Sequence, residues 1–328
     1  MTSPDQTRAG RAPDRLLRRL EWQVVRRLDG RLQGAYRTVF RGTGIDFADL
    51  RGYTPEDDVR HIDWNVTARL DEPYVRQYTE DREVTAWLVL DRSASMRFGA
   101  GGGKASVVTD LAVCLARLFT QGGNRVGAIL YDNQVQRVIP ARTGRTHVLH
   151  LTHELTRPGP ARDDRRPTDL AAMLHLAAGT ARRRGLVFVV SDFIGDLDWE
   201  PALTRLALRH EVVAVRVVDP AELDLPDLGL VLVEDAETGE QLLADTSDPL
   251  FRRRLRAEVD AREFAVTGAI RRAGSVGHRL GTDQDLVAAL VEMAQRAKHR
   301  RAPASRATGP ASEAPASRGT GPASGAPA

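Results

Sequence analysis

Cysteine is all but missing. Cys114 stands alone in 328 residues, so no disulfide can form within the chain. It lies among Leu111, Ala112, Leu115 and Leu118 at helical spacing, which reads as a small buried hydrophobe. Aromatic residues make up 5% of the chain, too few for the stacking platforms of a nucleic-acid binder. Lysine is nearly absent, and almost every basic residue is arginine. The net charge of +3 is small for this length and does not argue for nucleic acid. No apolar run approaches the roughly 18 residues that span a bilayer, and the N-terminus has no signal-peptide core. The expectation is a soluble cytoplasmic protein. What remains is ordinary globular usage, 42% hydrophobic and 28% charged, in a length that suits one large domain or two modest ones.

The chain is organised around residues 84–96. Val84 to Leu90 are β-branched, aromatic or aliphatic, with no Gly or Pro, and read as a buried strand. The strand runs into Asp91-Arg92-Ser93-Ala94-Ser95. Three short oxygen-bearing side chains thus fall just past the carboxyl end of a strand, where parallel α/β sheets bind ligands. A carboxylate with two hydroxyls suits a hard cation such as Mg²⁺, which takes oxygen ligands. Taken alone, the same pattern also describes a polar turn that caps the next helix. Two further stretches bear on the choice. Arg166-Pro167-Thr168-Asp169-Leu170 opens a helical pattern carried by Leu170, Met173, Leu174, Ala177 and Ala178, which places Thr168 at a helix start. Leu186 to Val190 form a second buried strand that ends in Ser191-Asp192.

Asp-x-Ser-x-Ser, a Thr at a helix start and an Asp after a strand, in this order, resemble the metal-ion-dependent adhesion site of von Willebrand factor type A domains. The resemblance implies that Ser93, Ser95 and Thr168 bind Mg²⁺ or another divalent cation directly. It implies that Asp91 and Asp192 act mostly through waters, and that a partner's carboxylate completes the shell. Asp91 and Thr168 are expected at the rim of the domain, outside its core.

A second resemblance covers about residues 40 to 300. Gly42-Thr43-Gly44-Ile45-Asp46-Phe47, then Pro55-Glu56-Asp57-Asp58-Val59-Arg60-His61-Ile62-Asp63-Trp64 and Ala68-Arg69, are similar to the signature of the family called domain of unknown function 58. Glu56 departs from that signature, where Gly is usual. Within the stretch, Asp57, Asp58, Arg60, Asp63 and Arg69 form a dense set of opposite charges beside Ile62 and Trp64. No nucleophile or His–acid pattern accompanies the acids. The expectation is a network of ion pairs in which Arg60 partners the acids and Trp64 is the apolar anchor.

In chain order, residues 1–33 carry a basic amphipathic helix from about Asp14, with Leu17, Leu20, Val24 and Leu28 on one face. Residues 34–82 are the signature segment, expected to pack on the core. Residues 83–220 alternate strands and helices, apart from a hairpin at Asp132-Asn133-Gln134, and predict an α/β domain of von Willebrand factor type A architecture. That is a mostly parallel sheet with helices on both faces. Phe98 to Ser106 invites comparison with a phosphate-binding loop and fails it: Phe98 stands where the first glycine belongs and Ala105 where the metal-binding hydroxyl belongs. His147, His150 and His153 recur every three residues on a helix, where two could share a metal, although solvated or core-edge histidines are commoner. The loop Gly159 to Pro167, with Arg162, Asp163, Asp164, Arg165 and Arg166, borders Thr168. Residues 221–301 read as a hairpin across Ala236-Glu237-Thr238-Gly239 followed by two arginine-rich helices, near 249–273 and 283–301. Residues 302–328 repeat a twelve-residue pattern rich in Pro, Gly, Ser and Ala, which cannot bury a core, and read as a disordered tail.

The two resemblances imply a non-enzymatic, Mg²⁺-dependent protein-binding adaptor. They also imply a partner offering an acidic side chain, a MoxR-type AAA+ ATPase, in chaperone-like maturation of other proteins. Two rivals come from other classes. A metal-dependent phosphohydrolase would use Asp91 as nucleophile, but a haloacid-dehalogenase-type site needs a second Asp where Ser93 stands. A nucleic-acid-binding protein would use the arginine-rich C-terminal helices.

Overall fold

The computed structural model describes residues 11–21, 46–55, 57–70, 72–79, 83–99, 103–157, 168–225 and 227–301. The loop 159–167 and the tail 302–328 lie outside the described residues, as does the amphipathic pattern beyond residue 21.

Strand β3 (Thr85–Asp91) sorts its side chains into two cores. Successive residues of a strand point to opposite faces. Ala86, Leu88 and Leu90 join one apolar cluster, and Trp87 and Val89 join the other. Around it are β4 (Arg125–Tyr131), β5 (Val135–Arg142), β6 (Leu186–Ser191), β7 (Glu211–Val218) and β10 (Val276–Gly281). The sheet order is β10-β7-β6-β3-β4-β5. Every pairing is parallel except β4 with β5, the expected hairpin. One face is covered by α1 (Arg11–Leu20), α3 (Gly103–Gln121), α4 (Arg145–Thr156) and α9 (Leu286–Arg301). The other is covered by α5 (Leu170–Thr180), α6 (Glu200–Arg209) and α8 (Pro249–Arg272). The architecture is therefore α/β, a mostly parallel sheet between two layers of helices, as expected of the von Willebrand factor type A class.

Two elements extend this core past the expected limits of 83–220. The basic helix α1 buries Leu17 and Leu20 completely or nearly so, and its Arg19 reaches Asp110 on α3. At the other end, β10 pairs with β7 from Val276↔Val213 to Gly281↔Val218, and α9 places Val287, Leu290 and Met293 in the same cluster as Leu88. The boundary at residue 220 thus does not end the sheet. Its edge strand comes from the C-terminal stretch, and it pairs the outer edge of β7, which is buried along almost its whole length.

The signature segment folds as a small unit of its own. β1 (Asp46–Gly52) pairs antiparallel with β2 (Tyr74–Thr79), and α2 (Trp64–Leu70) lies between them in sequence. Asp57 is the hub. Arg51 grips both its oxygens, and Thr54 donates through its backbone N–H at 2.9 Å and its hydroxyl at 2.8 Å. These donors, Arg51 first, hold the Asp57 carboxyl well below the usual carboxylate range. Two expectations are corrected here. Arg60 is exposed, and among the described residues it is its backbone N–H that meets Asp58, while Arg51 is the cation on Asp57. Trp64 is 68% exposed and anchors nothing within the described residues. The first turn of α2 has Asp63 to satisfy its amides, and Trp64 points its ring to solvent instead. All these bonds stay within residues 51–66, and none ties the segment to the six-stranded sheet.

Between β7 and α8 lies the hairpin of β8 (Leu230–Glu234) and β9 (Gln241–Asp245), in register from Leu230↔Asp245 to Glu234↔Gln241. A short helix α7 (Pro220–Leu223) precedes it. Among the described residues no helix is long and apolar enough to cross a membrane.

Candidate functional site

Strands β3 and β6 are neighbours at the point where the strand order reverses, from β3-β4-β5 on one side to β6-β7-β10 on the other. Open α/β sheets leave a crevice there, at the carboxyl ends of the strands. Asp91 closes β3, Ser191 closes β6, and Asp192 follows directly after it. Four of the five expected residues meet in this place. Ser93 Oγ and Ser95 Oγ stand 3.0 Å apart. The Asp91 carboxylate accepts from the Ser93 backbone N–H at 2.9 Å and from the Ser191 hydroxyl at 2.7 Å. Asp91 is 2% exposed and Asp192 3%. Burial first, and the charge of Asp192 second, push the Asp91 carboxyl upward, against the Ser191 and Ser93 bonds that pull it down. Asp91 therefore lies in the core and not at the rim.

Asp192 is held from three sides. Its carboxylate accepts from the Ile194 N–H at 3.2 Å and from the Lys104 ammonium at 2.7 Å, while Arg216 of β7 donates to its backbone carbonyl at 3.0 Å. The next residue, Phe193, takes a left-handed φ of +53°, uncommon for a side chain of this size. It is held there by packing edge-on against Trp199, with ring centroids 5.1 Å apart, and by the bond from its N–H to Ser191 Oγ. Local strain of this kind persists only where the surroundings over-determine it.

Lys104 was not expected here. The comparison of residues 98–106 with a phosphate loop failed on its own terms, and the lysine passed as part of the loop. In the structure it opens α3, is fully buried, and bridges Asp192 at 2.7 Å and Glu222 of α7 at 2.6 Å. Gly103 makes this possible, since at φ +53° any Cβ would fall 1.8 Å from the Phe98 carbonyl. Glu222 in turn accepts from the Asp219 N–H in a capping box. Of the residues that hold the site, Lys104, Ser191 and Glu222 escaped the sequence. The one signal was one of only two lysines in an arginine-rich chain, at the end of a glycine run.

Thr168 is the fifth expected residue, and its bonds go elsewhere. It stands one residue before Asp169, the cap of α5. Its backbone N–H donates to Glu237 Oε2 at 2.8 Å and its hydroxyl to Glu237 Oε1 at 3.0 Å. Glu237 belongs to the turn between β8 and β9. Of the helical histidines, His147 lies 2.7 Å from the Val126 carbonyl through Nε2, and its ring centroid is 6.5 Å from that of His150.

Comparison with known proteins adds the family. Residues 49–264 match the family profile described as protein of unknown function DUF58. An uncharacterized protein of Mycobacterium tuberculosis is 38% identical over 277 residues, 84% of this chain and 86% of its own. An uncharacterized protein of Mycobacterium avium is 34% identical over 172 residues, 51% of this chain and 98% of its own. Among solved structures, the conserved hypothetical protein BatB from Bacteroides thetaiotaomicron aligns at a TM-score of 0.41 and 15% identity, over 66% of this chain and 99% of its own. An aerotolerance-related membrane protein from Bacteroides fragilis aligns at 0.43 and 14%, over 66% and 99%. A von Willebrand factor type A protein from Catenulispora acidiphila aligns at 0.36 and 10%, over 67% and 43%.

Proposed function

The chain belongs to the family described as protein of unknown function DUF58, and we propose that it works as a Mg²⁺-dependent protein-binding adaptor and not as an enzyme. One observation carries the reading: two hydroxyls 3.0 Å apart and two buried carboxylates converge at the switch point of a parallel sheet. The donor set fits the ion. All the atoms are hard oxygens, as Mg²⁺ requires. Burial first, and the charge of Asp192 second, drive the Asp91 carboxyl upward, and since Lys104 pairs with Asp192 and not with Asp91, a cation beside Asp91 would relieve it. Ser93, Ser95 and Thr168 would hold the ion, with Asp91 and Asp192 behind them. Bound there, Mg²⁺ would supply a Lewis-acidic position for a carboxylate from another protein.

In this reading the residues around the site position it. Asp91, the nucleophile of a phosphohydrolase reading, accepts bonds from Ser93 and Ser191 and is nearly sealed from solvent. Lys104 neutralises Asp192 and fixes its orientation. We take the partner to be an acidic surface of a MoxR-type AAA+ ATPase, in the cytoplasm, with chaperone-like maturation of client proteins as the outcome. The test is titration calorimetry of the full chain against such an ATPase, with Mg²⁺ and with EDTA, for the wild type and Ser93→Ala. Binding that needs both Mg²⁺ and Ser93 is the expected result. Equal affinity in all four conditions would remove the metal from the reading.

A further inference from the structure

We infer that Glu237 is the site's own carboxylate ligand: the tip of the β8–β9 hairpin occupies the place an acidic partner takes, and the partner must displace it. The inference rests on the adaptor reading and says what chemistry the partner brings.

The contact has the form of ligand capture. Both oxygens of one carboxylate are used, one on the Thr168 N–H and one on its hydroxyl. Thr168 is also the expected ligand that lies nearest the outside, half-buried while Asp91, Ser93 and Ser95 are buried. The turn that carries Glu237 is built to aim it. Asp235 Oδ1 accepts from the N–H groups of Glu237 and Thr238, each at 2.8 Å, and the Gly239 N–H closes on the Asp235 carbonyl at 2.8 Å. Such an Asx turn pre-organises the tip, so little order remains to be lost when the carboxylate docks.

Among the described residues, the rest of the hairpin is held at its root. Thr246 Oγ1 donates to the Gly229 carbonyl and accepts from the Leu228 N–H. Beyond the root, Leu230, Leu232, Leu242 and Leu243 are each more than half exposed. Ala244 is the hairpin strands' one buried side chain among the described residues, so lifting the tip breaks the two bonds to Thr168 and exposes little apolar surface. The short helix α7, upstream of the hairpin, touches the floor of the site. Glu222, a few residues upstream of β8, shares the Lys104 ammonium with Asp192.

A ligand that must compete with a docked tip binds more weakly by the fraction of time the tip is away. If the tip is docked roughly nine-tenths of the time, its removal tightens an external carboxylate about tenfold. The probe is N-acetylglutamate methylamide, a free copy of the glutamate side chain, titrated calorimetrically into the full chain with Mg²⁺ and with EDTA. Wild type, Glu237→Ala and Glu237→Gln are compared, with exchange of the Thr168 amide followed by NMR. The turn is on the surface, so both variants retain the fold. Expected are faster Thr168 amide exchange in both variants than in the wild type, probe binding at least tenfold tighter in Glu237→Ala, and re-protection of that amide by the probe. If Glu237→Ala gains the probe equally in Mg²⁺ and in EDTA, the occlusion by Glu237 stands and the metal requirement of the adaptor reading falls. Equal, Mg²⁺-dependent probe binding by wild type and variants would overturn the inference and leave the adaptor reading intact. Probe binding by neither protein would overturn both.

Discussion

The floor of the site and its lip are built on opposite principles. On the floor, Asp91, Ser191, Asp192 and Lys104 are buried within a closed set of charge-assisted bonds. At the lip, Thr168 and Glu237 meet through two bonds at the end of a hairpin whose leucines face solvent. Buried polar groups are costly to leave unpaired, and exposed ones are not. A floor of this kind resists change, whereas a lip of this kind can be exchanged for another partner at small cost.

The most severe break in that contrast is Lys104→Met. It leaves Asp192 and Glu222 facing each other without their shared cation, and should lower unfolding stability by about 3–5 kcal/mol, read by urea denaturation. A loss below about 1 kcal/mol would mean that water already reaches the pair and that the floor is no stiffer than the lip. Next comes Asp91→Ala, which strands the Ser191 hydroxyl and the Ser93 N–H in the core. The expected loss is about 1–3 kcal/mol, so this variant is a poor test of metal binding, and Ser93→Ala is the better one.

A third effect depends on pH. His278 on β10 is pushed down to about 4, by burial first and by Arg296 second, with Glu292 opposing. The fold therefore needs His278 neutral, while the unfolded chain protonates it near pH 6.5. Its contribution to stability is present above about pH 6.5 and is lost as pH falls toward 4. The expected total change across that window amounts to about 1–2 kcal/mol after allowance for solvent screening. His278→Gln should flatten that part of the stability profile, and an unchanged profile would place the titration elsewhere. Smallest of all, Glu237→Ala and Leu232→Ser should each change stability by no more than about 0.5 kcal/mol. If either costs several times that, the hairpin is packed on the body and the contrast between floor and lip disappears.

The division between what was legible in the sequence and what was not follows the same line. Strands β3 and β6 announced themselves by unbroken apolar runs, and the residues at their carboxyl ends followed from position alone. Asp91, Ser93, Ser95 and Asp192 could thus be named, and they do come together. Strand β10 was not visible, because Val276-Gly277-His278-Arg279-Leu280-Gly281 is short and carries two glycines. Its period of two shows only once His278 and Leu280 are seen buried between exposed neighbours. Lys104, Glu222 and Glu237 could not be read either. Their partners lie far along the chain and are brought close by the sheet, which no local pattern records. Trp64 failed for the opposite reason, since an aromatic in a charged cluster reads as an anchor and this one is at the surface.

The late arrival of β10 has a consequence for how the chain is born. Strand β7 is mostly apolar and buried along almost its whole length, and among the described residues its outer backbone edge is satisfied by β10. On the ribosome, β7 emerges well before Val276–Gly281. During that interval the nascent chain carries an open, apolar strand edge, the kind that pairs with other chains. The hairpin and the long arginine-rich helix α8 are synthesised in the same interval. A truncation that stops before Val276 should fix the chain in that exposed state and drive it into inclusion bodies, whereas one that stops after Arg301 should not.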